Sequence, residues 1–242
     1  MNSKLEDIAR DLAPHGVLRA AINFGNTVLA QRHPDSGEPA GISADLAREL
    51  ARRLGRDIEF ATFDAAGKVF AVADQDTWDV AFLAIDPVRA EKVQFTAPYV
   101  IIEGTYMVRS DSPFAQVGDV DREGVRVAVG KGAAYDLYLS RSLQHAELVR
   151  APTSADAIDY FVDQSLDAAA GVRQPLEAYA ATHAGLRVMR DRFTAIEQAM
   201  GTPKGRTVGL EYLQSFIKEM KASGFVADAL KRSDQLAATV AP

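Results

Sequence analysis

The chain has 242 residues, enough for one large domain or two modest ones, with 48% hydrophobic and 25% charged side chains, a composition that excludes disorder and fibres. A net charge of -6 and a pI near 5.3, with Lys and Arg scattered, leave no basic field for a phosphate backbone, so nucleic acid is not an expected partner. There is no cysteine, which removes disulfides, thiolate metal ligands and a cysteine nucleophile, and there is no apolar run of about 18 residues that could span a membrane.

Met1-Asn2-Ser3-Lys4-Leu5-Glu6-Asp7 is not a basic segment leading into an apolar stretch, so no export signal is read there. Either a start Met has replaced a signal or the protein stays in the cytosol. Val17 to Phe24 alternates, with Leu18, Ala20, Ile22 and Phe24 on one face, as a half-buried strand does. Asn26 to Ala40 is a loop carrying Pro34, Pro39 and an Asp35-Ser36-Gly37 turn. Ser43 then caps a helix to Leu54 with Leu46, Leu50 and Leu54 on one side, and Gly55 stops it. A strand from Ile58 to Phe63, a helix from Ala65 to Ala73 and a continuously apolar strand from Asp79 to Ile85 complete a β-α-β-α-β series.

The same order returns in the second half. Val125 to Val129 is a strand, Gly130-Lys131-Gly132 a turn into a helix ending near Leu143, and Glu147 to Arg150 the next strand. Thr153 or Ser154 starts a helix that turns Ala157, Ile158 and Phe161 to a core, followed by a strand from Asp167 to Val172. Extended stretches, Val100 to Arg109 and Thr194 to Pro203, separate the two series and follow the second. Two crossings imply a second lobe inserted into the first, with a cleft at their interface and hinges at the crossings. A helix from Thr207 to Ser223, stopped by Gly224, and another to Arg232 pack on the first lobe. The expected division is residues 1-103, the inserted 104-195, and a return crossing with terminal helices, 196-242.

The densest chemistry lies in Asp79-Val80-Ala81-Phe82-Leu83-Ala84-Ile85-Asp86-Pro87-Val88-Arg89 and Phe95-Thr96-Ala97-Pro98-Tyr99. A strand ends in a helix start, with Asp86 as N-cap, Pro87 at the first helical position and Arg89 on the first turn. Amide donors with a guanidinium make a carboxylate site; the plainer alternative is a capped surface helix with a solvated Arg. Phe24 either stacks on a ligand or belongs to the core, and Asn23 or Asn26 can hydrogen-bond a ligand. Trp78, Tyr135, Tyr138 and Tyr160 are read as packing residues. Four isolated histidines indicate no metal, and no P-loop or dinucleotide fingerprint is present, so no cofactor is expected.

These blocks, together with Gly16-Val17-Leu18-Arg19, Gly41-Ile42-Ser43-Ala44-Asp45-Leu46-Ala47 and Val125-Arg126-Val127-Ala128-Val129-Gly130-Lys131-Gly132, resemble the amino-acid-binding group of bacterial extracellular solute-binding proteins, the receptor subunits of ABC importers. The resemblance runs from about residue 16 to 232. It implies an α/β, two-lobed type II periplasmic-binding-protein fold, the venus flytrap, with a mostly parallel sheet and flanking helices in each lobe and two hinge crossings. It also implies a monomer in the periplasm that works with a membrane permease and closes over a small carboxylate such as an amino acid. By resemblance Arg89 clasps the α-carboxylate, the backbone of Ala84 and the side chain of Asp86 line the pocket, and the turn through Gly132, Ala133 and Ala134 adds amides from the second lobe.

The chain departs from that pattern where the family often keeps an acid for the ligand's ammonium. Here it reads Val172-Arg173-Gln174-Pro175; anchoring on Pro175 puts Arg173 at the site, and counting from Asp167 puts Val172 there. A second guanidinium at the site favours a second anionic group on the ligand, or a compensating acid from among Glu103, Asp86 and Glu197. Two other functions stay open: an enzyme resembling the cyclohexadienyl dehydratases, with Glu103 as its first candidate acid, and a cytosolic or sensory ligand-binding module.

Overall fold

The computed structural model describes residues 3–242; the Met1-Asn2 start, read above for a targeting signal, lies outside them. In chain order the elements are α1 (Ser3–Leu12), β1 (Val17–Asn23), β2 (Gln31–Arg32), β3 (Pro39–Ala40), α2 (Ile42–Leu54), β4 (Asp57–Phe63), α3 (Ala66–Ala71), β5 (Val80–Ala84) and β6 (Val93–Phe95). There follow β7 (Val100–Arg109), β8 (Arg126–Gly130), α4 (Ala134–Ser142), β9 (Glu147–Ala151), α5 (Ser154–Asp163), β10 (Ala168–Val172), α6 (Arg173–Thr182) and β11 (Leu186–Val188). The last are β12 (Thr194–Pro203), α7 (Thr207–Ala222), α8 (Phe225–Arg232) and β13 (Thr239–Val240). The class is α/β, as the alternating pattern predicts. Among the described residues, no helix is long and apolar enough to cross a membrane.

Two compact units emerge: one of the residues up to Asp64 with Lys68–Ile101 and Glu197–Pro242, the other of Ala65–Gly67 with Ile102–Ile196. The chain passes from the first to the second inside β7 and returns inside β12.

In the first unit the strand order is β4-β1-β5-β12. β1 runs parallel to β4, from Val17 opposite Asp57 to Asn23 opposite Phe63, and parallel to β5, with Ala20 opposite Val80. β12 is antiparallel to β5 and to β6. All of β5 is buried, which explains why its sequence is an unbroken apolar run rather than an alternating one. α2 turns Ile42, Leu46, Leu50 and Leu54 inward with no exposure, each contributing about 1.5–3 kcal/mol of apolar burial. Gly55 ends α2 in the left-handed region, its N–H donating to the carbonyls of Ala51 and Arg52.

Ser43 is not the cap of α2. The N-cap is Gly41 at φ 88, no side chain caps it, and Ser43 is buried within the first turn. The Leu29 carbonyl accepts the Ser43 N–H at 3.0 Å, so loop backbone does what a capping hydroxyl otherwise does. α1, for which the sequence reading offered no element, buries Ile8, Ala9 and Leu12 and packs on α2 and α7, while α8 packs on α2 and α7. β13 pairs with the start of β7, Thr239 opposite Ile101 and Val240 opposite Val100.

The first unit is knotted together at the amino ends of its strands by Asp79, whose side chain is wholly buried. It accepts from the Arg19 backbone N–H at 2.9 Å, from Arg19 Nε and Nη2 at 3.0 and 2.8 Å, and pairs with Arg206 at 2.9 Å. Its carbonyl accepts from Thr202 Oγ1 at 2.9 Å. One carboxylate thus joins β1, β5 and the start of α7.

In the second unit the order is β7-β10-β8-β9. β8 is parallel to β9 and β10, and β7 is antiparallel to β10 and β11. Its core has Tyr106, Val127, Val129, Tyr135 and Leu139 on one side and Met107, Ala157, Phe161, Leu166 and Leu176 on the other. Of the two starts open for α5, Thr153 is the N-cap: its hydroxyl accepts the Asp156 N–H at 3.1 Å and Asp156 accepts the Thr153 N–H at 3.0 Å, a capping box.

Two expectations follow. Asp79→Ala strands Arg19 and Arg206 without their buried partner and lowers the unfolding free energy by about 3–5 kcal/mol in chemical denaturation; an unchanged midpoint would show that the cluster carries no stability. On the outer face of α2, Arg52 and then Arg53 hold the Glu49 carboxyl down to about 2 from its usual 4.5. Because the folded value lies below the unfolded one, this stabilisation is present above pH 4.5 and is lost as pH falls toward about 2. Glu49→Gln flattens that part of the stability–pH curve, and a curve that keeps its slope there assigns it to other carboxylates.

Candidate functional site

At the carboxyl end of β5 the buried strand stops at Ala84 and the chain turns through Ile85-Asp86-Pro87-Val88. Ile85 N–H donates to the Glu197 carbonyl at 2.9 Å, which fixes the direction of the turn. The α-helix expected to begin at Asp86 and Pro87 does not form. A single 3-10 turn, Arg89–Glu91, is followed directly by β6, whose pairing with β12 leaves too short a segment for a helix. Nor is Asp86 the N-cap: that position is Val88, without a side-chain cap, and Asp86 braces the chain just before it, its Oδ1 accepting the Val88 N–H at 2.9 Å.

Arg89 is 1% exposed, which removes the alternative of a solvated surface arginine. Its Nη1 donates to the Ala84 carbonyl at 3.0 Å, holding the guanidinium across the end of β5. Burial pulls its pKa down to about 10, opposed by the nearby Asp86 carboxylate, which is itself buried. At neutral pH it is therefore a cation that has lost most of its water, and a guanidinium is by chemistry able to pair with a planar carboxylate. Ala84, Asp86 and Arg89, expected together from one segment of the sequence, lie close to one another at the end of β5.

Phe24, Asn23 and Asn26 sit at the end of β1, one strand away. Asn23 Oδ1 accepts the Gly25 N–H at 3.0 Å and so braces its own turn. The enclosed Asn26 Oδ1 has no hydrogen-bond partner among the described residues. Phe24 is half-buried, not core, and the guanidinium carbon of Arg32 lies 3.9 Å from its ring centroid. Arg32 is a residue that sequence reasoning missed: a lone arginine in a loop rich in Pro and Gly has no periodicity or spacing to mark it.

In the second unit, the turn after Lys131 spends its donors internally. Gly132 N–H donates to Asp136 Oδ2 at 2.8 Å and Ala133 N–H to the Gly130 carbonyl at 3.0 Å, while Ala134 opens α4. Asp136 is buried and also accepts from Arg150 Nε at 3.0 Å. Val172 is the last residue of β10 and Arg173 the first of α6. Arg173 is fully engaged: Nε to Glu103 Oε2 at 2.6 Å, Nη1 to the Met189 carbonyl and Nη2 to the Arg190 carbonyl, both at 2.9 Å. Of the acids proposed to balance it, Glu103 is the one it meets, and Glu103 also pairs with Arg192 at 3.3 Å.

The sequence signature of the bacterial extracellular solute-binding proteins, family 3, covers residues 28–232. The chain belongs to this family. No curated protein matches it in sequence. Among solved structures, a mutant of ArgBP from T. maritima is 22% identical with a TM-score of 0.79, over 94% of this chain and 99% of that one. The cysteine-binding protein of Campylobacter jejuni is 20% identical with a TM-score of 0.79, over 96% and 93%. The ancestral amino-acid-binding protein AncCDT-1, a precursor of cyclohexadienyl dehydratase, is 23% identical with a TM-score of 0.76, over 93% and 98%. The fold is thus that of the type II periplasmic binding proteins, and the chain is a solute-binding protein of a family that is typically extracellular or periplasmic.

If Asp136 fixes the turn of this family member's second unit, Asp136→Ala exposes the Gly132 amide to exchange and costs about 1–3 kcal/mol of stability. Hydrogen exchange at Gly132 is the readout, and retained protection would place the bracing elsewhere.

Proposed function

We propose that the protein is the receptor subunit of an ABC-type importer, acting in the periplasm, and that it binds a small carboxylate-bearing solute, an amino acid or a related organic acid, at Arg89. The observation that carries this reading is the burial of the Arg89 guanidinium at the end of β5, fixed by the Ala84 carbonyl. A buried charge is retained at a cost, and a solute carboxylate that forms paired N–H to O bonds with it offsets that cost. Family membership supports the receptor role, and the names of related structures, which bind arginine or cysteine, support the chemical class. A membrane permease is the partner this role requires.

The dehydratase reading draws no support from the geometry. Its candidate acid, Glu103, has its two carboxylate oxygens taken up by Arg173 and Arg192 rather than left for a substrate.

Thermal-shift and calorimetric titration of the native chain with amino acids and their deaminated analogues tests the proposal. Arg89→Ala is expected to lose about 2–5 kcal/mol of binding free energy while the circular dichroism spectrum is retained. Arg89→Lys keeps the charge without the fork and recovers only part of the affinity. Undiminished binding by Arg89→Ala would discard the assignment.

A further inference from the structure

A cavity of about 390 Å³ opens in the first unit at the carboxyl ends of β1 and β4, lined by Phe24, Arg32, Thr62, Phe63, Asp64 and Lys68. Its charges are not balanced. Lys68 is neutralised by Asp64, at 2.7 Å, and the Asp64 carboxyl is held below its usual range by that lysine. Arg32 meets no carboxylate among the described residues; it lies over the Phe24 ring, with one long bond of 3.4 Å to the Gly37 carbonyl. Two cations and one anion leave a surplus of one positive charge, and it resides on Arg32.

Sheet register gives the distance from this cavity to Arg89. β1 lies between β4 and β5, with Asn23 opposite Phe63 and Ala21 opposite Ala81; continuing that register by three residues sets Phe24 level with Ala84, which anchors Arg89. Adjacent strands are about 5 Å apart, so on that register the backbone of Phe24, at the cavity's edge, is about one strand spacing from the backbone of Ala84 on which the guanidinium rests. An extended chain advances about 1.2 Å per bond, and the four bonds between the carboxyl carbons of glutarate therefore span about 5 Å.

We propose that the cavity is a second anion subsite, in which Arg32, held flat by Phe24, takes the distal carboxylate of a short dicarboxylate whose first carboxylate lies on Arg89. The inference rests on the carboxylate reading of Arg89 and narrows its substrate class. A basic side chain is disfavoured, because Asp64 is already paired and the unpaired charge is positive. An aromatic solute is disfavoured as well, because Arg32 covers the face of Phe24. The second guanidinium anticipated at Arg173, which is committed to Glu103, is supplied instead by Arg32.

The test is isothermal titration of the native chain, Arg32→Gln and Arg89→Gln with butyrate, succinate, glutarate, adipate and arginine. Arg32 is exposed, so its variant folds; the native chain is expected to prefer a dicarboxylate over butyrate by about tenfold or more. Arg32→Gln erases that preference and leaves butyrate binding unchanged, whereas Arg89→Gln weakens both. If Arg32→Gln keeps the preference while Arg89→Gln loses all binding, the subsite is wrong and the carboxylate reading stands. Arginine binding more tightly than glutarate overturns the dicarboxylate assignment, and a native chain that binds no carboxylate overturns both proposals.

Discussion

The first unit depends on one buried carboxylate. Asp79 sits where β5 begins, with no solvent to share its charge, and the protein answers with Arg19, Arg206 and a backbone N–H. An unpaired charge there would cost several kcal/mol, so β1, β5 and the start of α7 are held in one arrangement. Polar joinery at the amino ends leaves the carboxyl ends of the same strands free to carry chemistry, and there Arg89 lies.

Two buried or half-buried arginines at strand ends behave in opposite ways. Arg173 is consumed by its own unit, bonded to Glu103 and to two carbonyls, and stiffens the junction of β10 and α6. Arg89 is drawn below its ordinary pKa by loss of water, against the opposing pull of Asp86. Burial and a backbone carbonyl set Arg89, whereas a carboxylate and two carbonyls set Arg173. Asp136, which gathers Gly132 and Arg150, is the second unit's counterpart of Asp79.

Much of the fold was legible because apolar period and punctuation agree. The unbroken run into Ala84, the Leu46-Leu50-Leu54 face closed by Gly55, and the extended stretches at Val100 to Arg109 and Thr194 to Pro203 all correspond to elements of the structure. The misreadings have physical causes. Ser43 looked like a cap, but the Leu29 carbonyl, distant in sequence, supplies the bond. Asp86-Pro87 looked like a helix start, but β6 pairs with β12 and takes the residues a helix needs. Ala84, Asp86 and Arg89 stood out together in the sequence because strand end, cap and cation fall within six residues. Arg32 did not, because only folding brings it onto Phe24.

β13 has a role beyond tidiness. Thr239 and Val240 pair antiparallel with Ile101 and Val100, Ala241 N–H reaches the Tyr99 carbonyl, and Lys221 Nζ bridges the backbone oxygens of Pro98 and Pro242. A strand with unpaired amides is a template on which another molecule can add its own strand. By pairing residues 239–240 with the start of β7, the chain fills that edge with its own backbone at the place where β7 leaves the first unit.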